Sequence, residues 1–295
     1  MMHFRYFFSY LQERFPILNM GLFAILFGVV FSVTSHEYPT PLKVDWTTFL
    51  GILAVISFFF RLRVYDEIKD FKLDAINHPN RILQSGKISL SHLISVSIAL
   101  TTIEIFWSYR MGISALIAWA IAFLYALLMR YEFFIGNFLK KYLPLYAFCH
   151  LLIMPFIIFW IWVAHIAFTI ELSLILLMFF SLISGFAFEI ARKIHSPDAE
   201  RPTIDSYSKS LGYKNAILST ISICIFTALI QSLFLYQIHA HWWSYCIILS
   251  VLIWIVSKYI KSLHYPHENL LRKNEKGVSL LMLISYLLLI FELNS

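Results

Sequence analysis

The sequence predicts an all-α integral membrane protein, with nine transmembrane helices around a central cavity, the N-terminus cytoplasmic and the C-terminus non-cytoplasmic. Three observations carry this prediction. Only 14% of the 295 residues are charged, 60% are hydrophobic and the mean hydropathy is +0.74. A water-soluble chain of this size has too little interior to hide that much apolar surface. Nine stretches reach the roughly 20 apolar residues that a spanning helix needs. Finally, 21 of the 23 Lys and Arg residues fall in alternate connections between those stretches, which is the positive-inside pattern of cytoplasmic segments.

The elements follow in order. The opening MMHFRYFFSYLQERFPILNM has no small-residue cleavage site after its apolar run and reads as a short amphipathic segment lying in the interface. Spans are expected at roughly 16–35, 46–64, 91–109, 112–130, 143–168, 171–191, 213–237, 241–260 and 277–294. A tight turn at Arg110–Gly112 separates the third from the fourth, and the fifth meets the sixth near Thr169–Glu171. With the N-terminus inside, only Lys43 and Arg110 lie outside; Arg14 counts with the tail and Arg61 with the loop after span two. No linker or low-complexity tract interrupts residues 1–295, which read as one domain. The net charge of +6 suits an anionic membrane face, and nothing calls for nucleic acid. Cys149, Cys224 and Cys246 lie in apolar segments without metal-ligand spacing and read as packing residues. Short loops and compact size fit a bacterial inner (plasma) membrane.

The chemistry concentrates in two acidic clusters at helix exits on the same membrane face. Asp66, Glu67, Asp70 and Asp74 follow span two; Glu189, Asp198, Glu200 and Asp205 follow span six. Glu67, Asp70 and Asp74 are spaced i, i+3, i+7, and Asp66, Asp70 and Asp74 are spaced i, i+4, i+8, so either set stacks three carboxylates on one helix stripe. Like charges at that spacing repel, and Lys69 and Lys72 lie too far round the helix to neutralise the stripe. A divalent cation would do so, and Mg²⁺ suits carboxylate oxygens combined with a phosphate ligand. The competing reading is a solvated, salt-bridged helix end that supports topology. A second acidic cluster on the same face favours two carboxylate groups holding metal ions bridged to a diphosphate.

The first cluster, Asp66-Glu67-Ile-Lys-Asp70-Phe-Lys-Leu-Asp74, resembles the first aspartate-rich motif of the UbiA superfamily of intramembrane prenyltransferases, Asn-Asp-x-x-Asp-x-x-x-Asp. The continuation NHPNRILQSGKIS, Asn77 to Ser89, is similar to that family's Pro-x-Arg-Pro-Leu-x-x-Gly-x-Ile-Ser. Phe188 to Gly212, FEIARKIHSPDAERPTIDSYSKSLG, resembles a divergent second motif. The resemblance implies Mg²⁺ ions at Asp66, Glu67, Asp70, Asp74, Glu189 and Asp198, holding an isoprenyl diphosphate whose prenyl chain passes to an acceptor. Asp70, Asp74, Arg81 and Lys193 would carry catalysis, with Arg81, Arg192 and Lys193 on the diphosphate. Arg offers a planar fork for that purpose, although each of these cations also fits a topology charge. The departures are Asp66 for Asn, Glu67 for Asp, Ile82 for Pro, and Lys193 where a second-motif carboxylate belongs. The acceptor is an aromatic acid or quinone precursor, or a phosphorylated sugar.

Other readings stay open at this point. Glu104 inside span three is a functional candidate or a local polar pair with nearby Arg110. His150 and His165 read as packing histidines. There is no His-Glu-x-x-His, no phosphate-binding Gly-rich loop and no Gly-x-Ser-x-Gly. A membrane terpene cyclase, a multi-span transporter or ion carrier, and a non-catalytic lipid-binding relative are the alternatives. A carrier places its carboxylates at mid-bilayer, whereas these cluster at helix exits.

Overall fold

The computed structural model describes residues 2–38, 42–166, 168–201 and 205–295, with side chains from Arg5 onward. Among the described residues every regular element is helical. The α-helices are α1 (Met2–Arg14), α2 (Ile17–Glu37), α3 (Trp46–Asn77), α4 (Leu90–Met111), α5 (Ile113–Arg130), α6 (Gly136–Leu139), α7 (Leu143–Leu151), α8 (Ile153–His165), α9 (Leu172–Arg192), α10 (Tyr207–Ser210), α11 (Tyr213–Gln237), α12 (Trp242–His264) and α13 (Glu268–Asn294). Among the described residues nine helical segments are long and apolar enough to cross a membrane, α7 and α8 together forming one of them.

The segments match the expected spans, with three differences. Span two does not stop near residue 64; α3 runs on to Asn77, because no Gly or Pro occurs between residue 64 and Pro79. At 32 residues it is about 48 Å long, against an apolar layer of about 30 Å. Its last turns, carrying Asp66 to Asp74, are the polar part of that excess length. Span five is broken at Leu152, where Pro155 lacks the N–H that would bond the Leu151 carbonyl and its ring crowds that carbonyl. Span nine starts earlier, at Glu268, in a polar run of good helix formers.

The chain forms two compact units. One holds the residues up to Phe134 together with Trp160–Phe168; the other holds Ile135–Phe159 and Thr169–Ser295. In the first unit α3 packs on α2, α4 and α5. Asp45 caps α3: its carboxylate accepts from the N–H groups of Thr47 and Thr48, and the Thr48 hydroxyl accepts from the Asp45 N–H. The Thr47 hydroxyl bonded to it holds the Asp45 carboxyl below its usual range. Gly51 lets the helices close up, since a Cβ there would lie 2.6 Å from the Phe27 ring and 2.8 Å from Trp107. Trp107 Nε1 donates to Thr47 O at 2.9 Å, and Trp160 Nε1 to the Ser108 hydroxyl at 2.9 Å. Gly112, at φ 120°, makes the tight turn between α4 and α5.

A buried ion pair joins these helices. Arg61, 2% exposed, places Nη2 2.7 Å from Oε2 of Glu104, which is fully buried. The same oxygen accepts from Trp119 Nε1 at 2.8 Å, and Arg61 Nη1 donates to Thr101 at 3.0 Å. Arg61 is therefore not the loop charge that the sequence suggested. It sits within the apolar part of α3, and it, rather than Arg110, is the partner of Glu104. Arg110 instead lies over the Trp46 ring at 5.6 Å.

In the second unit α9 packs on α11, α13 and α7, while α12 packs on α11 and α13. Tyr213 donates to Ser262 O at 2.8 Å and Asn274 Nδ2 to the Ser262 hydroxyl at 2.8 Å, tying α11, α12 and α13 together. Among the described residues no cysteine is in a disulfide.

Candidate active site

The first acidic cluster grows out of α3 where the helix leaves its apolar neighbours. Glu67 is 1% exposed. Its Oε1 accepts from Arg63 Nη2 at 2.6 Å, from Arg63 Nε at 3.0 Å and from Arg14 Nε at 2.8 Å. The Tyr10 hydroxyl donates to the same oxygen at 3.4 Å. Burial, and then the Glu67 charge, push the Tyr10 phenol well above its usual range, so it stays a protonated donor. Asp74 Oδ2 lies 2.7 Å from Arg81 Nη1 and 3.7 Å from Arg14 Nη2. Asp66 pairs with Lys69 at 3.2 Å. Glu13 accepts from the Ile82 N–H at 2.9 Å, so α1 is fastened to both the stripe and the loop after it.

The repulsion read from the sequence is thus relieved by the protein's own arginines. Arg63 was visible in the sequence as an i,i+4 partner of Glu67; Arg14 lies too far along the chain to be found that way. The stripe is not a closed metal cage. From Glu67 to Asp74 it covers roughly 10 Å of helix, and among the described residues no three His, Cys, Asp or Glu side chains gather as a metal cluster. Two oxygen sources nevertheless remain. Glu67 Oε2 is buried without a hydrogen-bond partner among the described residues, and Asp70 forms no ion pair among them. That donor set fits a hard cation such as Mg²⁺, which takes one or two carboxylates and completes its shell with substrate phosphate and water.

The second cluster is built at the end of α9. Glu189 Oε1 lies 2.7 Å from Lys193 Nζ, and Oε2 lies 2.5 Å from Arg192 Nη2, the i+4 and i+3 partners of one helix face. Asp198 is exposed in a single 3₁₀ turn, Pro197–Ala199. Glu200 accepts from the hydroxyls of Ser206 and Ser208. Asp205 is exposed, and residues 202–204 of the motif-like stretch lie outside the described residues.

Two residues that the sequence reading missed hold this second loop in place. Arg272 of α13 donates to Arg192 O at 2.9 Å and to Ile194 O, carbonyls left over at the helix end. Glu268 accepts from the Ser196 N–H at 2.9 Å, lies 3.0 Å from His195 Nδ1, and pairs with Arg272 Nε at 2.9 Å. Tyr207 N–H donates to Lys193 O at 2.9 Å. Burial, and next the Glu189 charge, raise the Tyr207 phenol above its usual range.

Arginines close to acids, with spare carboxylate oxygen, form an arrangement that can accept a polyanion together with a divalent cation. Comparison with known proteins points the same way. The sequence matches the UbiA prenyltransferase family model over residues 21–282. It is 23% identical over 273 residues to digeranylgeranylglyceryl phosphate synthase of Methanosphaera stadtmanae, covering 90% of this chain and 93% of that protein. A solved structure concerning digeranylgeranylglyceryl phosphate synthase in membranes superimposes with a TM-score of 0.69 at 22% identity, covering 98% of this chain and 99% of the other. A UbiA homologue from Archaeoglobus fulgidus, bound to GPP and Mg²⁺, gives a TM-score of 0.57 at 12% identity over 95% of this chain and 99% of that one.

Proposed function

The chain belongs to the UbiA prenyltransferase family, and on that premise we propose that it transfers a prenyl chain from an isoprenyl diphosphate to a small phosphorylated acceptor, with Mg²⁺, at the cytoplasmic membrane face. The observation that carries the reading is the convergence of Arg14, Arg63 and Arg81 on Glu67 and Asp74. The phosphorylated acceptor is supported by the relative named as a synthase of a glyceryl phosphate product. The positive-inside pattern supports the cytoplasmic orientation, and compact loops support a bacterial inner membrane.

In this reading Arg14, Arg63 and Arg81 turn from their carboxylates onto the incoming diphosphate, and the family resemblance makes Arg192 and Lys193 further candidate diphosphate contacts. Their charge favours the state in which the allylic C–O bond has opened and its electron pair rests on diphosphate oxygen. Glu67, Asp70, Asp74 and Asp66, with Glu189 and Asp198, are the candidate holders of Mg²⁺, whose chemistry when bound is Lewis-acid withdrawal of charge from the leaving group. The acceptor oxygen then bonds to C1, and its proton passes to the released diphosphate. The apolar helices exclude water from the allylic cation.

The test incubates the purified protein with radiolabelled geranylgeranyl diphosphate, Mg²⁺ and a panel of phosphorylated polyols and sugars, prenylated glyceryl phosphate, aromatic acids and quinone precursors. Labelled product with a phosphorylated acceptor is expected. Transfer to aromatic acceptors alone would overturn the acceptor class. Hydrocarbon released without any acceptor would make the protein a cyclase, and failure to bind any isoprenyl diphosphate would remove the donor.

A further inference from the structure

A groove between α3, α4 and α5 belongs to neither acidic cluster. It encloses about 370 Å³ and is lined by Arg61, Tyr65, Ile98, Ile105, Phe123 and Arg130, among others, with no carboxylate in the lining. Ile98 and Ile105 are exposed, so the groove opens along the face of α4. Its walls are apolar; Arg61 is already neutralised by Glu104 beneath the groove, which leaves Arg130 as the one lining cation without an ion pair among the described residues. Arg61, 2% exposed, lies between the Phe58 and Phe123 rings, and its Nε has no acceptor among the described residues. Arg130, at the end of α5, stands 5.4 Å over the Tyr65 ring and 5.2 Å over that of Tyr131, and makes no ion pair among the described residues. Half-exposed at a helix end, Arg130 can hold its guanidinium at headgroup level while its stem covers the apolar groove, where it is open to an anion.

The geometry separates this groove from the acidic stripe. At about 100° per residue, the α3 flank bearing Arg61, Val64, Tyr65 and Ile68 is centred roughly 140° round the helix from Glu67, Asp70 and Asp74. One ligand cannot fill both flanks.

We propose that the groove binds one anionic phospholipid from the surrounding bilayer, its phosphate on Arg130 and one chain laid along Ile98, Ile105 and Phe123 over Arg61. The apolar walls select an amphiphile over free phosphate. The unpaired Arg130 favours an anionic headgroup, and a zwitterionic one would bring a cation that meets no carboxylate in the lining.

The test uses the full chain, delipidated in detergent and titrated with phosphatidylglycerol or phosphatidylcholine, followed by native mass spectrometry and thermal unfolding. One phosphatidylglycerol retained per chain is expected, with a larger rise in unfolding midpoint than phosphatidylcholine gives. Arg130→Gln is expected to weaken retention about fivefold, and Ile98→Trp, which fills the groove, to weaken it independently. Equal retention of both lipids by the wild type, or retention unchanged in both variants, overturns the proposal. Inorganic phosphate reproducing the midpoint shift would overturn the lipid as source. Geranylgeranyl diphosphate displacing the bound phosphatidylglycerol would overturn the separation from the donor site.

Discussion

Arg14 and Glu67 stand 53 residues apart in the chain, and Arg14 Nε donates to Glu67 Oε1 at 2.8 Å. The contact joins an N-terminal interfacial helix to the acidic end of α3, with Glu13 fastening the same helix to the loop at Ile82. A residue that read as a topology charge is thereby part of the candidate site.

Arg14→Ala is expected to lower stability by no more than about 1.5–3 kcal/mol, the range for a hydrogen bond to a charged group, because Arg63 still covers Glu67. A double-mutant cycle with Glu67→Gln, followed by thermal unfolding, should give coupling of similar size. The same Arg14 variant should lower kcat as well as raise KM for the isoprenyl diphosphate, since its charge both holds the diphosphate and favours its departure.

Asp70→Asn and Asp74→Asn should separate catalysis from stability. Both are expected to reduce kcat/KM by about 10²–10³-fold, the scale of losing one group that stabilises developing charge. Asp70 forms no ion pair among the described residues, so its substitution should leave the unfolding midpoint nearly unchanged. Asp74→Asn should lower it, since Arg81 and Arg14 lose a charged acceptor.

Breaking the Arg61–Glu104 pair from one side, with Arg61→Ala or Glu104→Ala, is expected to cost about 3–5 kcal/mol by leaving a buried charge alone. Arg61→Met combined with Glu104→Leu should recover most of that loss in a thermal melt. A double variant as unstable as the singles would mean that Trp119 and Thr101 supply the stabilisation.

Gly51→Ala should destabilise the first unit by about 1–3 kcal/mol, because the new methyl meets the rings of Phe27 and Trp107. Trp107→Phe in that background should return part of it, which urea unfolding would reveal.

Arg272→Ala should loosen the loop after α9 by freeing the carbonyls of Arg192 and Ile194. The expected result is a fall in kcat/KM with faster amide exchange at residues 192–196. Arg272→Lys should restore it only partly, since a single ammonium cannot reach both carbonyls and Glu268 as the guanidinium fork does.

Much of the fold was legible because membrane insertion is dictated by local composition. The apolar runs gave the spans, and the alternating basic loops supplied the orientation that is proposed. Helix ends were less legible. The span-length apolar run ends near residue 64, so nothing in the sequence marked an end for the helix that carries the acidic stripe; α3 continues to Asn77 for want of a breaker. The break at Leu152 was readable from Pro155, which the hydropathy pattern hides.

The sequence by itself determined the family-like motif, the helical class and the stacking of Glu67, Asp70 and Asp74 on one stripe, because 3.6-residue periodicity is a property of the chain alone. Only the tertiary structure decided what balances that stripe. Arg14 from α1 and Arg81 from the following loop reach it through folding, as Arg272 reaches the end of α9 and Arg61 reaches Glu104. Ion pairing is set by distances of a few ångströms in a medium of low polarity, and spacing along the chain does not encode those distances once the partners lie on different helices.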